Sequence, residues 1–302
     1  MITVMGATGN TGGEVARRLL DAGEDVRVLG RSRDRLTGLA AAGAQVLVGD
    51  ATDVEHLTEA FRGADAVYAL LPVDVRQPDF HAHWARLGEA IAAAVAAAGV
   101  PHVVALSAVG ADVPSGTGFI ASLHAQEARL RDLPATDVLL LRPGSFFDNF
   151  RAHLDVIAAE GVMADSVAPD VPLPMVASRD VAAVAAAALV ARDWHGVVVR
   201  EVLGPRDLTH DEVAGIIGRS IGRPDLAYVQ VPYDDMESVL TAAGFSPDTA
   251  HHQVEMTRAF NERRVAARGP RTPADTAATR FEDFAAELAV AFPGGAPGSV
   301  TI

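Results

Sequence analysis

Lysine and cysteine are both missing from this 302-residue chain, whose 25 basic residues are all arginine. Without cysteine there is no disulfide framework, no thiolate nucleophile and no sulfur-ligated zinc. Without lysine there is no Schiff-base chemistry, no phosphate loop of the kind that needs a lysine beside its glycines, and no proton relay through an ammonium group. Aromatic residues are scarce, at 5%. No apolar run approaches the roughly 20 residues of a membrane span; the most apolar stretch, residues 91–100, is short and alanine-rich. Basic charge is in deficit too, and a net charge of −14 argues against nucleic acid or an anionic membrane as the main partner. Met1 leads directly into an apolar segment with no charged n-region, so the expectation is a soluble, cytoplasmic protein without a signal peptide.

What is present is an alternation. Apolar runs at Ile2–Met5, Val26–Leu29, Gln45–Val48, Ala66–Leu71, His102–Leu106 and Val138–Leu141 are separated by helix-period stretches near 11–22, 33–42, 54–62, 80–98 and 122–132. Runs that are continuously apolar point to parallel strands buried on both faces. Their alternation with helices implies right-handed crossovers and an α/β, Rossmann-type doubly wound sheet. Beyond Arg142 the pattern loosens. Gly161–Pro174 reads as a loop or short hairpin, Arg179–Arg192 as a helix and Val197–Leu203 as a strand. Thr209 and Glu212 are spaced as a capping box. A short strand at Val229–Val231, helices through about residue 262, a polar connection at 265–275, a last helix at Thr276–Ala291 and a frayed Pro293–Ser299 complete the expectation.

The strongest chemical signal is Gly6-Ala7-Thr8-Gly9-Asn10-Thr11-Gly12, between the first strand and the first helix. Glycines there let the backbone approach a ligand closely, and the helix start presents free N–H groups to a pyrophosphate. The strand–turn–helix context is the one in which such a loop binds a dinucleotide. At the end of the second strand, NAD-binding folds carry an acidic residue for the ribose 2′-OH. This chain has Leu29-Gly30-Arg31-Ser32-Arg33 instead, and guanidinium groups suit a 2′-phosphate, so NADP(H) is favoured over NAD(H).

These residues, with Gly49-Asp50, Arg142-Pro143-Gly144-Ser145-Phe146-Phe147-Asp148-Asn149, Arg179-Asp180-Val181-Ala182, Gly204-Pro205 and Gly222-Arg223-Pro224, resemble the NmrA-like atypical short-chain dehydrogenases. The resemblance extends to about residue 245. It implies an NADP-binding domain over 1–150 and a smaller α/β substrate-binding part over 151–302, with 175–195 returning to the first. By position it implies that Gly6, Thr8, Gly9, Asn10, Thr11 and Gly12 cradle the phosphates and that Arg31 meets the 2′-phosphate. Asp50 and Ala51 would lie by the adenine, Leu70, Leu71 and Pro72 along the ribose and nicotinamide, and Pro143 to Phe147 beside the nicotinamide and substrate.

Most short-chain dehydrogenases protonate their substrate through a Tyr-x-x-x-Lys pair. Here Tyr68, Tyr228 and Tyr233 all lie outside the relevant helix, and lysine is absent. Ser107 matches the superfamily serine. His124 is one residue out of register with the family's lysine or histidine ahead of Glu127, and is the remaining candidate acid. A quinone or enone acceptor needs no dedicated acid, since its reduced anion can take a proton from water. The expected function is therefore hydride transfer from NADPH to a small quinone, enone or carbonyl compound. The alternative is a non-catalytic NADP(H)-sensing protein of the same family; a cofactor-retaining isomerase would need a proton-transfer pair that the sequence does not offer. His81 and His83 do not share a helix face, and His251-His252 read as solvent-exposed, so no metal is expected. The expected partner is a small molecule, and the expected assembly a monomer or homodimer.

Overall fold

The computed structural model describes residues 1–293; the Gly/Pro-rich end beyond Pro293 lies outside them. In chain order, β1 (Ile2–Val4), α1 (Asn10–Asp21), β2 (Val26–Gly30), α2 (Thr37–Ala41), β3 (Gln45–Val48), α3 (Val54–Phe61), β4 (Ala66–Ala69), α4 (Phe80–Ala98), β5 (His102–Leu106), α5 (Phe119–Arg131) and β6 (Asp137–Pro143) alternate as the sequence pattern requires. After them come β7 (Ser145–Phe146), α6 (Leu154–Glu160), β8 (Val162–Asp165), β9 (Leu173–Val176), α7 (Ser178–Ala191) and β10 (Val197–Val202). The rest is β11 (Asp207–Leu208), α8 (His210–Ser220), β12 (Ala227–Gln230), α9 (Tyr233–Ala242), α10 (Pro247–Asn261) and α11 (Phe281–Ala291).

Seven strands form one parallel sheet in the order β10-β6-β5-β4-β1-β2-β3. Both faces are buried, which is why the strands read as continuous apolar runs. Val104, Leu139 and Leu141 face one side with Val15 and Leu19 of α1 and Val181 and Leu189 of α7. Val103, Ala105, Val138 and Leu140 face the other with Leu57 of α3 and Leu87 and Ile91 of α4. Each such aliphatic side chain, once buried, contributes about 1.5–3 kcal/mol. The strand order reverses between β1 and β4, which opens a crevice at their carboxyl ends.

The second core gathers Phe147, Phe150, Leu173, Met175, Val213, Ile217, Phe281, Phe284 and Leu288 beside the sheet. Gly161–Pro174, expected as a loop or short hairpin, contains β8 and the start of β9, which do not pair with each other: β8 joins β12 in parallel, while β9 lies between β7 and β11. The capping box is present, with Thr209 Oγ1 accepting from the Glu212 amide at 3.1 Å and Glu212 Oε2 accepting from the Thr209 amide at 2.9 Å. The stretch expected as a helix at 33–42 divides into a 3₁₀ turn at Asp34–Leu36 and α2, with the Thr37 hydroxyl bonded to the Asp34 carbonyl at 2.9 Å. The last helix starts at Phe281 rather than Thr276, because residues 275–279 are used as a strap. The Ala277 amide donates to Leu203 O at 2.7 Å and the Thr279 amide to Asp180 at 2.9 Å. None of the helices in the described residues is long and apolar enough to cross a membrane.

Candidate active site

The crevice begins at the glycine loop. Gly6 sits at φ +63°, the left-handed region that glycine enters without strain. A Cβ on Gly12 would lie 2.6 Å from Met5 O and closer still to Gly6 O, so only glycine lets α1 start this near the end of β1. Gly9 caps α1 in an extended conformation. No side chain caps that helix and its first turn has no acidic residue, which leaves the amides around Asn10–Gly12 aimed into the crevice. Together these features supply donors, a positive helix end and backbone clearance, and they fit the pyrophosphate of a dinucleotide. Leu70 is packed on the loop, its Cδ2 only 2.7 Å from where a Gly6 Cβ would stand. Leu71 is buried, and Pro72 is fixed through its carbonyl, which accepts from Trp84 Nε1 at 3.1 Å.

At the ends of β2 and β3 the charges are arranged for an anion. Arg31 is exposed, and among the described residues it influences Asp50 and Asp74 only through space, without an ion pair. Asp50 is held below the usual carboxylate range mainly by the Thr52 amide and hydroxyl, at 2.8 and 2.9 Å. Ala51 packs against the α3/α4 core beside it. Arg35 reaches the Thr8 carbonyl at 3.4 Å, which brings the arginine-rich segment against the glycine loop. His83, on the first turn of α4, faces this group rather than the side His81 takes. Burial and then Arg86 push its basicity down, while Asp74 and Asp50 oppose them. Sequence reading weighed His83 only as a metal ligand, because the contact between α4 and the end of β3 is set only by the sheet order.

Ser107, expected as a catalytic group, occupies a different kind of environment. Its hydroxyl donates to Glu127 Oε1 at 2.6 Å. Arg142 grips the same carboxylate at 2.8 Å through Nε and 2.7 Å through Nη2, and donates to Asp112 at 3.0 Å. Arg131 adds a bond to Glu127 Oε2 at 3.1 Å. The Glu127 and Arg142 side chains are only 4% and 3% exposed. Burial alone would raise the Glu127 carboxyl, but the bonds from Arg142 and Ser107 outweigh it and hold the group ionised. The one proton of Ser107 is thus directed at a carboxylate instead of the crevice. One signal in the sequence marks this network: an arginine inside an apolar strand needs a buried acid.

His124 bonds elsewhere. Its Nδ1 lies 2.9 Å from the Ala111 carbonyl, an acceptor only, so Nδ1 carries the proton and Nε2 is left for other partners. Pro143 is buried at the end of β6 and accepts from the Val109 amide at 2.9 Å, joining the loops after β5 and β6. Phe147 departs from the expectation that its ring lines the cleft. It is 1% exposed and packs edge-on against Phe281 at 5.0 Å, because the 3₁₀ turn at 147–153 directs it into the second core. His252 differs as well. Its side chain is 17% exposed rather than free in solvent, since α10 docks on α4 and α5.

Comparison with known proteins gives the family and the fold. The chain matches the NmrA-like family over residues 1–278. It is 36% identical over 300 residues to the (4-alkanoyl-5-oxo-2,5-dihydrofuran-3-yl)methyl phosphate reductase of Streptomyces griseus, covering 97% of this chain and 99% of the other. Identity to the NAD(P)H azoreductase of Xenophilus azovorans is 29% over 258 residues, 85% of this chain and 86% of that one. Among solved structures, the NADPH complex of an NADPH-dependent quinone oxidoreductase from Escherichia coli superposes with a TM-score of 0.76 at 23% identity, covering 95% and 99% of the two chains. At that identity the structural likeness speaks for the fold.

Proposed function

The chain belongs to the NmrA-like family, and from that premise we propose that it is an NADPH-dependent reductase acting on a small quinone, enone or related conjugated carbonyl acceptor. The observation that carries the reading is a contrast within the crevice. Among the described residues no side chain caps the first turn of α1, while the serine at the usual relay position is bonded into a buried ion pair.

NADPH, when bound, supplies the hydride. The amides of Asn10 to Gly12 would hold the pyrophosphate, with Gly6, Thr8 and Gly9 shaping the loop, whose Gly9 amide is bonded back to Gly6 O at 2.9 Å. Arg31 would meet the 2′-phosphate with charge-assisted bonds, and Asp50 and Ala51 would border the adenine. Leu70, Leu71 and Pro72 form an apolar wall that orients the nicotinamide end and excludes water. Turnover then depends mainly on proximity and orientation. A His124 ring protonated on both nitrogens, with Nδ1–H held by the Ala111 carbonyl, would have the Nε2 proton to give to the reduced acceptor, and water can replace it where that anion is stable. The Streptomyces griseus relative supports an electron-poor alkene as acceptor, since the compound in its name has a ring double bond with both the ring carbonyl and the acyl group attached to one of its carbons. The azoreductase supports acceptors that need no carbonyl-directed acid.

The test is cofactor titration followed by turnover of purified protein on a panel of quinones, enones and aldehydes. Preferential NADPH binding with faster consumption on quinones and enones than on simple ketones is expected. Equal use of NADH, or a preference for unactivated ketones, would contradict the reading.

A further inference from the structure

Outside the crevice, the first turn of α4 meets the middle of α10. His252 and Glu255 are three residues apart on α10 and share one of its faces. His81 reaches the same place from α4, and its ring centroid is 4.1 Å from that of His252. One ligand-type atom from each of His81, His252 and Glu255 lies within 4.8 Å of the other two, and among the described residues these three side chains are the ones that gather in this way.

The surrounding bonds favour an ion over a simple hydrogen-bonded cluster. His252 Nδ1 and Glu255 Oε2 are 3.0 Å apart, a separation that suits two ligands each about 2.0–2.2 Å from one metal. The other His81 ring nitrogen has an oxygen partner, the supporting arrangement that metal-binding histidines favour, and a carboxylate lies beyond the other His252 nitrogen. His81 Nδ1 is 2.6 Å from Ser122 Oγ, which leaves Nε2 for a ligand, and His252 Nε2 is 3.7 Å from Asp248 Oδ1. Asp248 is itself anchored, its Oδ2 accepting from the Phe80 amide at 2.8 Å.

We propose that His81, His252 and Glu255 form a divalent transition-metal site, suited best to Zn(II), that clips α10 to α4. Two imidazoles and one carboxylate match a borderline ion better than Mg(II) or Ca(II), which take oxygen ligands, and water completes the coordination. The site stands apart from hydride transfer, and its consequence is mechanical. Just ahead of α10, the Ser246 amide donates to Val75 O at 2.8 Å and the Ser246 hydroxyl to Gln77 O at 2.6 Å, in the loop that continues from Leu70–Pro72. The α10 backbone also presses on Gly118, at φ +54°, where a Cβ would strike the His252 carbonyl. An ion here therefore stiffens the walls of the crevice by tying α10 to the chain on both sides of it.

The experiment uses the full chain without a histidine tag, stripped with chelator and titrated with Zn(II) by calorimetry and thermal melting. One Zn(II) per chain with micromolar or tighter affinity is expected, with Tm rising by about 5 °C at a hundredfold excess over Kd. His81→Ala and His252→Ala should each weaken binding at least about 10-fold. Glu255→Gln provides the same readout with less disturbance of packing, should an alanine variant melt early in chelator. His251→Ala is the control, because His251 bonds Glu237 on the outer side of the helix at 3.0 Å and should leave Zn(II) affinity unchanged. Co(II) substituted for Zn(II) should give the visible bands of a low-coordinate N/O site, and lose them in Glu255→Gln. Absence of saturable binding, or affinity that depends on His251 and not on His81, would overturn the proposal.

Discussion

At the β1–β2 side of the crevice the helix-start amides and the Arg31 guanidinium face outward, with no side chain bonded to them among the described residues. At the β5–β6 side Ser107, Glu127, Arg142 and Asp112 bond one another in a buried network. Both regions lie at carboxyl ends of neighbouring strands, yet one is built to receive a ligand's charge and the other to neutralise its own. The difference lies in what each region does with its polar groups. Polar groups left open are available to a ligand, whereas polar groups that are buried must satisfy each other.

Breaking the joint should have the largest effect. Glu127→Ala leaves buried Arg142 with the half-exposed Asp112 as its one acidic partner and is expected to destabilise the fold by about 3 kcal/mol, read from denaturant or thermal unfolding. Gly12→Ala attacks the opposite region. Its Cβ would meet the Met5 and Gly6 carbonyls, and NADPH affinity should fall about 100-fold, or about 3 kcal/mol, by fluorescence titration. Arg31→Ala sharpens the contrast further. Affinity for NADPH should drop about 10- to 50-fold while affinity for NADH changes less than about 2-fold, since only the 2′-phosphate loses its partner. His124→Gln should lower turnover on a quinone by no more than about 5-fold, because the reduced acceptor can take its proton from water.

Acid should separate the regions as well. Burial pushes the Glu127 carboxyl up, but Arg142 and Ser107 hold it net below its ordinary 4.5, so its stabilising contribution is complete above that value and lost as pH falls through the lower folded one. Unfolding followed from about pH 5 to pH 3 should therefore show proton uptake by the unfolded chain, with a shallower pH slope in Glu127→Gln.

Much of this molecule was legible before any coordinates. Strand β5 and helix α4 occur where the apolar runs put them, and the Thr209–Glu212 box closes as its spacing requires. These features depend on local periodicity and capping, which a single stretch of sequence contains. The glycine loop was legible for the same reason, since turn, glycines and helix start are contiguous. What was missed depends on tertiary approach. Phe147 faces the second core because α11 supplies Phe281 and Phe284 from the far end of the chain. His83 joins Asp50 and Asp74 only once the sheet order places α4 beside β3, and His252 is covered only because α10 returns to α4. The helix expected from Thr276 yields its first turn to bonds with Leu203 and Asp180, partners that lie far away in sequence.

The most direct measurement follows the hydride itself. Purified protein is supplied with NADPH deuterated at one face of C4 and, separately, at the other, together with an acyl-substituted conjugated enone, and the product is analysed by mass spectrometry and NMR. Multiple turnovers with deuterium from one face carried to the carbon β to the carbonyl are expected. NADPH that binds tightly but transfers no deuterium to any quinone or enone would contradict a reductase built on this crevice.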